Sequence, residues 1–172
     1  MSKVCVVYWS QSGNTQAMAE AVGKGASDAG ADVSVVYVGD ATLDALKECK
    51  AFALGCPAMG AEVLEEAEME PFVADVEGIC SGKTIGLFGS YGWGDGQWMR
   101  DWEERMSGAG ATISGGEGVI CQEAPDADAL AASGPYPARF TLAAARAASQ
   151  TARLPSRATA APASTRKPLT AH

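Results

Sequence analysis

The chain has 172 residues, 47% of them apolar, which fits one domain with a real hydrophobic core. The net charge is −8, and no apolar run approaches the roughly 18 to 20 residues that span a bilayer, so general nucleic-acid binding and a membrane-crossing helix are both disfavoured. The charge is unevenly placed: residues 1–128 carry all 21 acidic groups and only seven basic ones, leaving that part near −14, whereas residues 129–172 carry six basic groups and no acid. Such an acidic body favours basic partner surfaces.

In chain order, Val-rich Lys3–Trp9 reads as a buried parallel strand. It is too short for a signal-peptide core and no small-residue cleavage site follows it, so a cytoplasmic protein is expected. Asn14–Ala29 has helical spacing, with Ala17, Met18, Ala21, Val22 and Gly25 on one side and Gly30 as its stop. Val33–Val38 and Ala51–Gly55 read as the second and third strands, Met69–Val76 as a short helix, and Thr84–Gly89 as the fourth strand. Gln97–Met106 is a helix ended by Gly108 and Gly110. Thr112–Ile113 and Val119–Cys121 look like a split fifth strand, and Ala124-Pro125-Asp126 like a helix start. This alternation predicts a doubly wound α/β domain with a parallel sheet covered on both faces.

The expected domain ends near residue 132. From Ser133 to His172 the chain is low-complexity Ala, Arg, Ser, Thr and Pro. Gly134, Pro135 and Pro137 interrupt the last helix, where an internal proline costs about 3 kcal/mol. The composition of this tail is that of GC-rich coding DNA read in a shifted frame, and we expect it to be non-native or disordered. The alternative is a genuine basic tail in which Ala-rich Phe140–Leu154 forms a substitute helix.

Cys5, Cys49, Cys56, Cys80 and Cys121 form no C-x-x-C pair, and with His172 as the sole histidine a Cys/His zinc site is not expected. Buried reduced thiols are the plain reading. Ser81-Gly82-Lys83-Thr84 imitates the end of a P-loop, but the required earlier glycine would be Glu77 and a strand follows rather than a helix. The acids Glu62, Glu65, Glu66, Glu68 and Glu70 read as a solvated face.

Three loops carry the chemistry, and each follows a strand. Ser10-Gln11-Ser12-Gly13-Asn14-Thr15 joins the first strand to the first helix. There, free backbone N–H groups and the positive end of the helix favour a phosphate, with hydroxyls as further donors. An ordinary cap by Ser12 or Asn14 is the alternative. Pro57-Ala58-Met59-Gly60-Ala61-Glu62 follows the third strand. Met59 can pack on a flat ring or fill the core, and Gly60 permits a positive φ. With Gly60 as first central residue, Met59–Glu62 can make a tight turn. Ser90-Tyr91-Gly92-Trp93-Gly94-Asp95, followed by Gly96, Gln97 and Trp98, follows the fourth strand. Its glycines allow close approach of a ligand on which Trp93 can stack.

Through these three loops, Val4–Ala132 resembles the short-chain, clostridial-type flavodoxins. The matching runs are Ser10–Thr15, Ala58-Met59-Gly60-x-Glu62-Val63-Leu64-Glu65-Glu66, and Ser90-Tyr91-Gly92-Trp93-Gly94-Asp95-Gly96-x-Trp98-Met99-Arg100-Asp101. The resemblance implies a five-stranded parallel sheet of order 2-1-3-4-5 with one FMN at its topological switch point. It implies that Ser10, Ser12, Gly13, Asn14 and Thr15 hold the phosphate and that Met59 and Trp93 sandwich the isoalloxazine. The Gly60 carbonyl would meet flavin N5 in the reduced states, Glu62 the N3 edge, and backbone near Gly92 the pyrimidine oxygens. Ala61, at a position commonly acidic in that group, and Pro57, where serine is usual, are departures that bear on redox tuning. The implied protein is a low-potential electron carrier rather than an enzyme, a monomer whose partners are reductases and oxidoreductases. An FMN-dependent NAD(P)H:quinone reductase on the same fold and a non-redox phospholigand module are the competing functions.

Overall fold

A computed structural model of the chain describes residues 2–126. The low-complexity tail, and the helix expected beyond Asp126, lie outside the described residues.

Four helices and six strands alternate along this part. In order they are β1 Lys3–Tyr8, α1 Asn14–Asp28, β2 Asp32–Tyr37, α2 Leu43–Glu48, β3 Ala51–Gly55, α3 Met69–Glu77, β4 Thr84–Tyr91, α4 Gln97–Gly108, β5 Thr112–Ile113 and β6 Val119–Gln122. The sheet order is β2-β1-β3-β4-β5, and every pairing is parallel. β5 pairs with Thr84 and Ile85 while β6 pairs with Phe88 to Tyr91, so the two segments share the free side of β4 as one interrupted fifth strand. A turn through Ser114–Gly116, with Gly115 and Gly116 at positive φ, makes the interruption.

The central β3 is buried at all five positions because helices cover both faces. One core layer gathers Phe52, Leu54, Ile85 and Leu87 against α2, α3 and α4, through Leu46, Val73, Trp102 and Met106 among others. The other packs Val4, Val6, Ala53 and Phe88 against Met18, Val22 and Ala26 of α1.

The structure departs from the sequence expectation in four places. The buried stripe of α1 is Thr15, Met18, Ala19, Val22, Gly23 and Ala26, one residue round from the predicted Ala17, Ala21 and Gly25. The polar Thr15 and the bare Gly23 belong to the inner face. At Gly23 a Cβ would collide with the Val35 side chain, so helix and strand meet there without one. Second, α2 was not expected. Its signal is Thr42, whose Oγ1 accepts from Ala45 N at 3.3 Å, with Asp44 in the first turn and Lys47 in the last. Third, β4 runs two residues beyond Gly89, because β6 supplies partners for Ser90 and Tyr91. Fourth, residues 124–126 have no regular structure.

All five cysteines are free; Cys49, Cys56 and Cys80 are buried and Cys5 and Cys121 half-buried. Among the described residues no helix is long and apolar enough to cross a membrane, and no group of three or more His, Cys, Asp or Glu is arranged to hold a metal ion.

Candidate functional site at the carboxyl edge of the sheet

Parallel strands deliver their following loops to one edge. β1 and β3 are neighbours, yet their connections leave in opposite directions, to α1 on one face and α3 on the other. A crevice opens between them. Backbone hydrogen bonds continue the sheet into this edge: Trp9 N to Gly55 O (2.9 Å), Cys56 N to Phe88 O (3.1 Å) and Ala58 N to Ser90 O (3.0 Å). They fix the loops after β1, β3 and β4 relative to one another.

A cavity of about 230 Å³ lies there. Of the residues singled out in the sequence, Ser10, Gln11, Ser12, Asn14 and Thr15 line it from the first loop, Pro57, Ala58 and Met59 from the second, and Ser90, Tyr91 and Gly92 from the third. Gly13, Gly60, Ala61, Glu62, Trp93, Gly94 and Asp95 do not line this cavity. Gly60 and Met59 instead border an adjoining hollow of about 420 Å³ with Val63, Glu65 and Glu66. Glu123 also lines the first cavity and was not anticipated. Its N–H donates to Tyr91 O at 2.7 Å and its φ is +56°, so the chain turns in only after β6 has paired with β4. No local pattern in the sequence carries that information.

The first loop is built for an anion. Gly13 caps α1 in the left-handed conformation, φ +91°, and no side chain caps the helix. Ser10 Oγ accepts from Gly13 N at 3.1 Å, which curls the loop over the helix start. The first-turn N–H groups of a helix have no partner within it, and α1 carries no acidic residue there to occupy them. Thr15 is buried, with its Oγ1 3.0 Å from Ser90 Oγ, which ties the first loop to the third. Hydroxyls and N–H groups without a cation suit a phosphate held by dipoles and hydrogen bonds.

The second loop is a small hairpin. Met59 and Val63 exchange both backbone hydrogen bonds at 2.9 Å around Gly60-Ala61-Glu62, so the turn closes at Val63 and is one residue longer than the Met59–Glu62 turn expected. Positive φ falls at Gly60 (+48°) and at Glu62 (+54°). A Cβ at Gly60 would meet nothing within 4 Å, so its peptide is open to solvent.

The acidic run is largely structural. Glu62 Oε1 accepts from Asp95, Gly96 and Gln97 N at 3.2 to 3.3 Å and so caps α4. Gly94 favours glycine because its φ is +89°, and a Cβ there would also press on that carboxylate. Glu65 accepts from Ala67, Glu68 and Met69 N at 2.8 to 3.0 Å. Burial pushes its carboxyl up, but these hydrogen bonds together hold it below the usual range. Glu70 pairs with Arg105, and Glu68 accepts from Tyr37 Oη at 2.7 Å. The third loop leaves Trp93 66% exposed, with Val63 and Ile120 as other exposed apolar side chains. Beneath it, Trp98 is 2% exposed and donates through Nε1 to Cys56 O at 3.2 Å. Burial pushes the Cys56 thiol up to about 12, so it stays neutral beside the cavity.

Comparison with known proteins gives this arrangement a family. A model of the flavodoxin family matches residues 6–134. The chain is 50% identical over 121 residues to the flavodoxin of Clostridium beijerinckii, covering 70% of this chain and 87% of that one. It is 46% identical, with the same coverage, to the flavodoxin of Megasphaera elsdenii. The solution structure of two-electron reduced Megasphaera elsdenii flavodoxin superposes with a TM-score of 0.70 at 42% identity, over 79% of this chain and 98% of that one. An archaeal flavodoxin gives 0.75 at 32% identity, over 83% and 99%. A parallel sheet of this order, an uncapped helix start facing a hydroxyl-rich loop, and relatives matched over most of their length lead to one conclusion: the chain belongs to the flavodoxin family, whose members carry electrons on FMN.

Proposed function

We propose that the chain binds one FMN in the crevice at the carboxyl edge of β1 and β3 and passes single electrons between redox enzymes. The observation that carries this reading is the uncapped start of α1, whose open N–H groups share one cavity with the loops after β3 and β4. The donor set fits a phosphate and the aromatic third loop fits a flat heterocycle. The isoalloxazine supplies the redox chemistry when bound.

The protein's own residues then have distinct tasks. Ser10, Gln11, Ser12, Gly13, Asn14 and Thr15 hold the phosphate, with Thr15 positioned by Ser90. Pro57, Ala58 and Met59 wall one side of the flavin, and Tyr91, Gly92 and Trp93 the other. Gly60, where a Cβ would meet nothing within 4 Å, can turn its carbonyl toward a proton gained at N5, a rotation a β-branched residue would resist. Ala61 borders that peptide. Glu62 acts from a distance: by capping α4 it fixes Asp95 and Gly96, and with them the end of the third loop. The two relatives at 46 to 50% identity are flavodoxins, which favours the electron carrier over the quinone-reductase alternative. The acidic body and the exposed apolar Trp93, Val63 and Ile120 favour a partner with a basic rim round an apolar centre. Monomeric function and a boundary near residue 132 belong to the same proposal.

Titration of apoprotein with FMN and with riboflavin tests it. Two hydrogen bonds to a charged phosphate, at about 1.5 kcal/mol each, favour FMN by about 100-fold or more. Equal affinities would remove the phosphate loop, and failure to bind either would remove the function. Trp93→Ala is expected to weaken FMN binding roughly 2- to 12-fold, the equivalent of losing stacking worth about 0.5 to 1.5 kcal/mol, and to restore flavin fluorescence quenched in the parent. Unchanged affinity and emission would place Trp93 off the ring.

A further inference from the structure

At the opposite edge of the sheet, two sulfurs lie in contact. Cys5 is the third residue of β1, and Cys49 closes α2 just before β3 begins. Their Sγ atoms are 3.5 Å apart, although 44 residues separate them in sequence. Along an extended strand Cys5 is about 16 Å from Ser10 and the first loop, so this pair takes no part in the site described above. A separate cavity of about 240 Å³ opens on both cysteines, between Ser34, Ala45 and the Lys3–Glu48 ion pair at its rim.

We propose that Cys5 and Cys49 form a reversible dithiol–disulfide site, oxidised by hydrogen peroxide entering through this cavity. Cys5 is half-buried and Cys49 only 1% exposed, so the cavity is the route by which a molecule little larger than water reaches the pair. Closing the bond asks the sulfurs to approach by about 1.5 Å, to about 2.05 Å. The surroundings favour a thiolate at Cys49. Its hydrogen bond with Cys5 lowers the thiol below its ordinary range, with Lys83 and Lys3 adding to the lowering, while burial and Ala45 O, 3.3 Å from Sγ, oppose it. The same partnership raises Cys5, which therefore keeps the shared proton. Lys83 Nζ donates to Cys49 O at 2.5 Å, which keeps its charge beside the pair.

The chemistry balances without any further reactant. The Cys49 thiolate attacks one peroxide oxygen; the S–O bond forms, the O–O bond breaks, and hydroxide leaves to take up a proton as water. Cys5 sulfur then attacks the Cys49 sulfenic acid; the S–S bond forms, the S–O bond breaks, and the hydroxyl leaves with the Cys5 proton as a second water. Two thiols lose two electrons and one peroxide gains two. The other cysteines lack this arrangement. Cys56 and Cys80 are buried with raised thiols, and the half-buried Cys121 is likewise raised, by burial and Asp126.

The FMN-loaded full chain is treated with peroxide, acid-quenched, and alkylated with maleimide in denaturant. The expected protein is lighter by two hydrogens before alkylation and takes up three maleimides where the untreated protein, with its five free cysteines, takes up five. A non-reduced digest should link the Cys5 and Cys49 peptides, and dithiothreitol should restore five. Cys5→Ser should stop at an over-oxidised Cys49 with no cross-link. As a test that does not depend on the folding of that variant, phenylarsine oxide, which bridges adjacent thiols, is titrated into the parent protein; one equivalent should protect Cys5 and Cys49 together. Five maleimides after peroxide, loss of Cys121 with both Cys5 and Cys49 free, a peroxide-oxidised Cys49 beside a free Cys5, or no protection by the arsenical would each overturn the proposal.

Discussion

Gly89→Ala is expected to cost at least about 3 kcal/mol of stability and to abolish FMN retention. Gly89 lies in β4 where the strand passes the start of the second loop. A Cβ there would run into the Cys56 carbonyl oxygen and stand 3.0 Å from its carbon and 3.2 Å from Trp98 Cζ2. The obstacle is mainly backbone, and that backbone is pinned: Cys56 N donates to Phe88 O at 3.1 Å and Cys56 O accepts from Trp98 Nε1 at 3.2 Å. Overpacking a close-packed core typically costs about 1 to 3 kcal/mol, and more where the neighbour cannot yield. Relief requires β3 and β4 to part at the edge where Ala58 N meets Ser90 O, which would also separate two walls of the cavity. Urea unfolding of the apoprotein, with FMN titration alongside, checks both parts. An unchanged midpoint together with parental FMN affinity would show that the strands part freely and that the contact positions nothing.

Trp98→Ala carries the second large effect, a loss of about 3 to 5 kcal/mol, the range for truncating a buried aromatic. Small domains have about 5 to 15 kcal/mol in all, so the variant would stand near the unfolding threshold at room temperature. Trp98 joins three parts of the site. Its Nε1 holds Cys56 O, its ring lies 5.6 Å from that of Tyr91 at 49°, and it occupies the second position of α4, whose first turn Glu62 caps. Trp98→Phe refills most of the volume but leaves Cys56 O without its donor, and is expected to lose about 1 to 3 kcal/mol. The two tryptophans therefore separate by measurement. Trp98 variants should lower the unfolding midpoint of the apoprotein, whereas Trp93→Ala should leave it unchanged and alter only flavin binding and emission. A Trp98→Ala apoprotein as stable as its parent would contradict this division.

The run Ser90-Tyr91-Gly92-Trp93-Gly94-Asp95 shows how composition announces a site. Of its large aromatics among glycines, the structure leaves Trp93 exposed as that composition leads one to expect, but it half-buries Tyr91 and covers the following Trp98 within the core. Glu62 shows the limit. The resemblance assigns it a flavin edge, and the structure adds a task that no motif announces: its carboxylate accepts from the start of α4, thirty-three residues on at Asp95. Glu123 lines the cavity with no motif at all.

The chain order of the strands and of α1, α3 and α4, the parallel sheet, and the loops that gather at its carboxyl edge are legible in the sequence, whereas α2 is not. Those follow from local features: runs of Val, Ile and Leu, helix starts, and glycines placed where strands end. The tertiary structure alone decided which face of α1 turns inward, because Gly23 meets Val35 across the layer. It alone extended β4 through Tyr91, because β6 arrives to pair with it. It alone converted the acidic run from a solvated face into two helix caps and an ion pair with Arg105. It alone brought Cys5 to Cys49. Each of these outcomes rests on partners far apart in the chain, and a local pattern cannot encode the identity of a neighbour that only folding supplies.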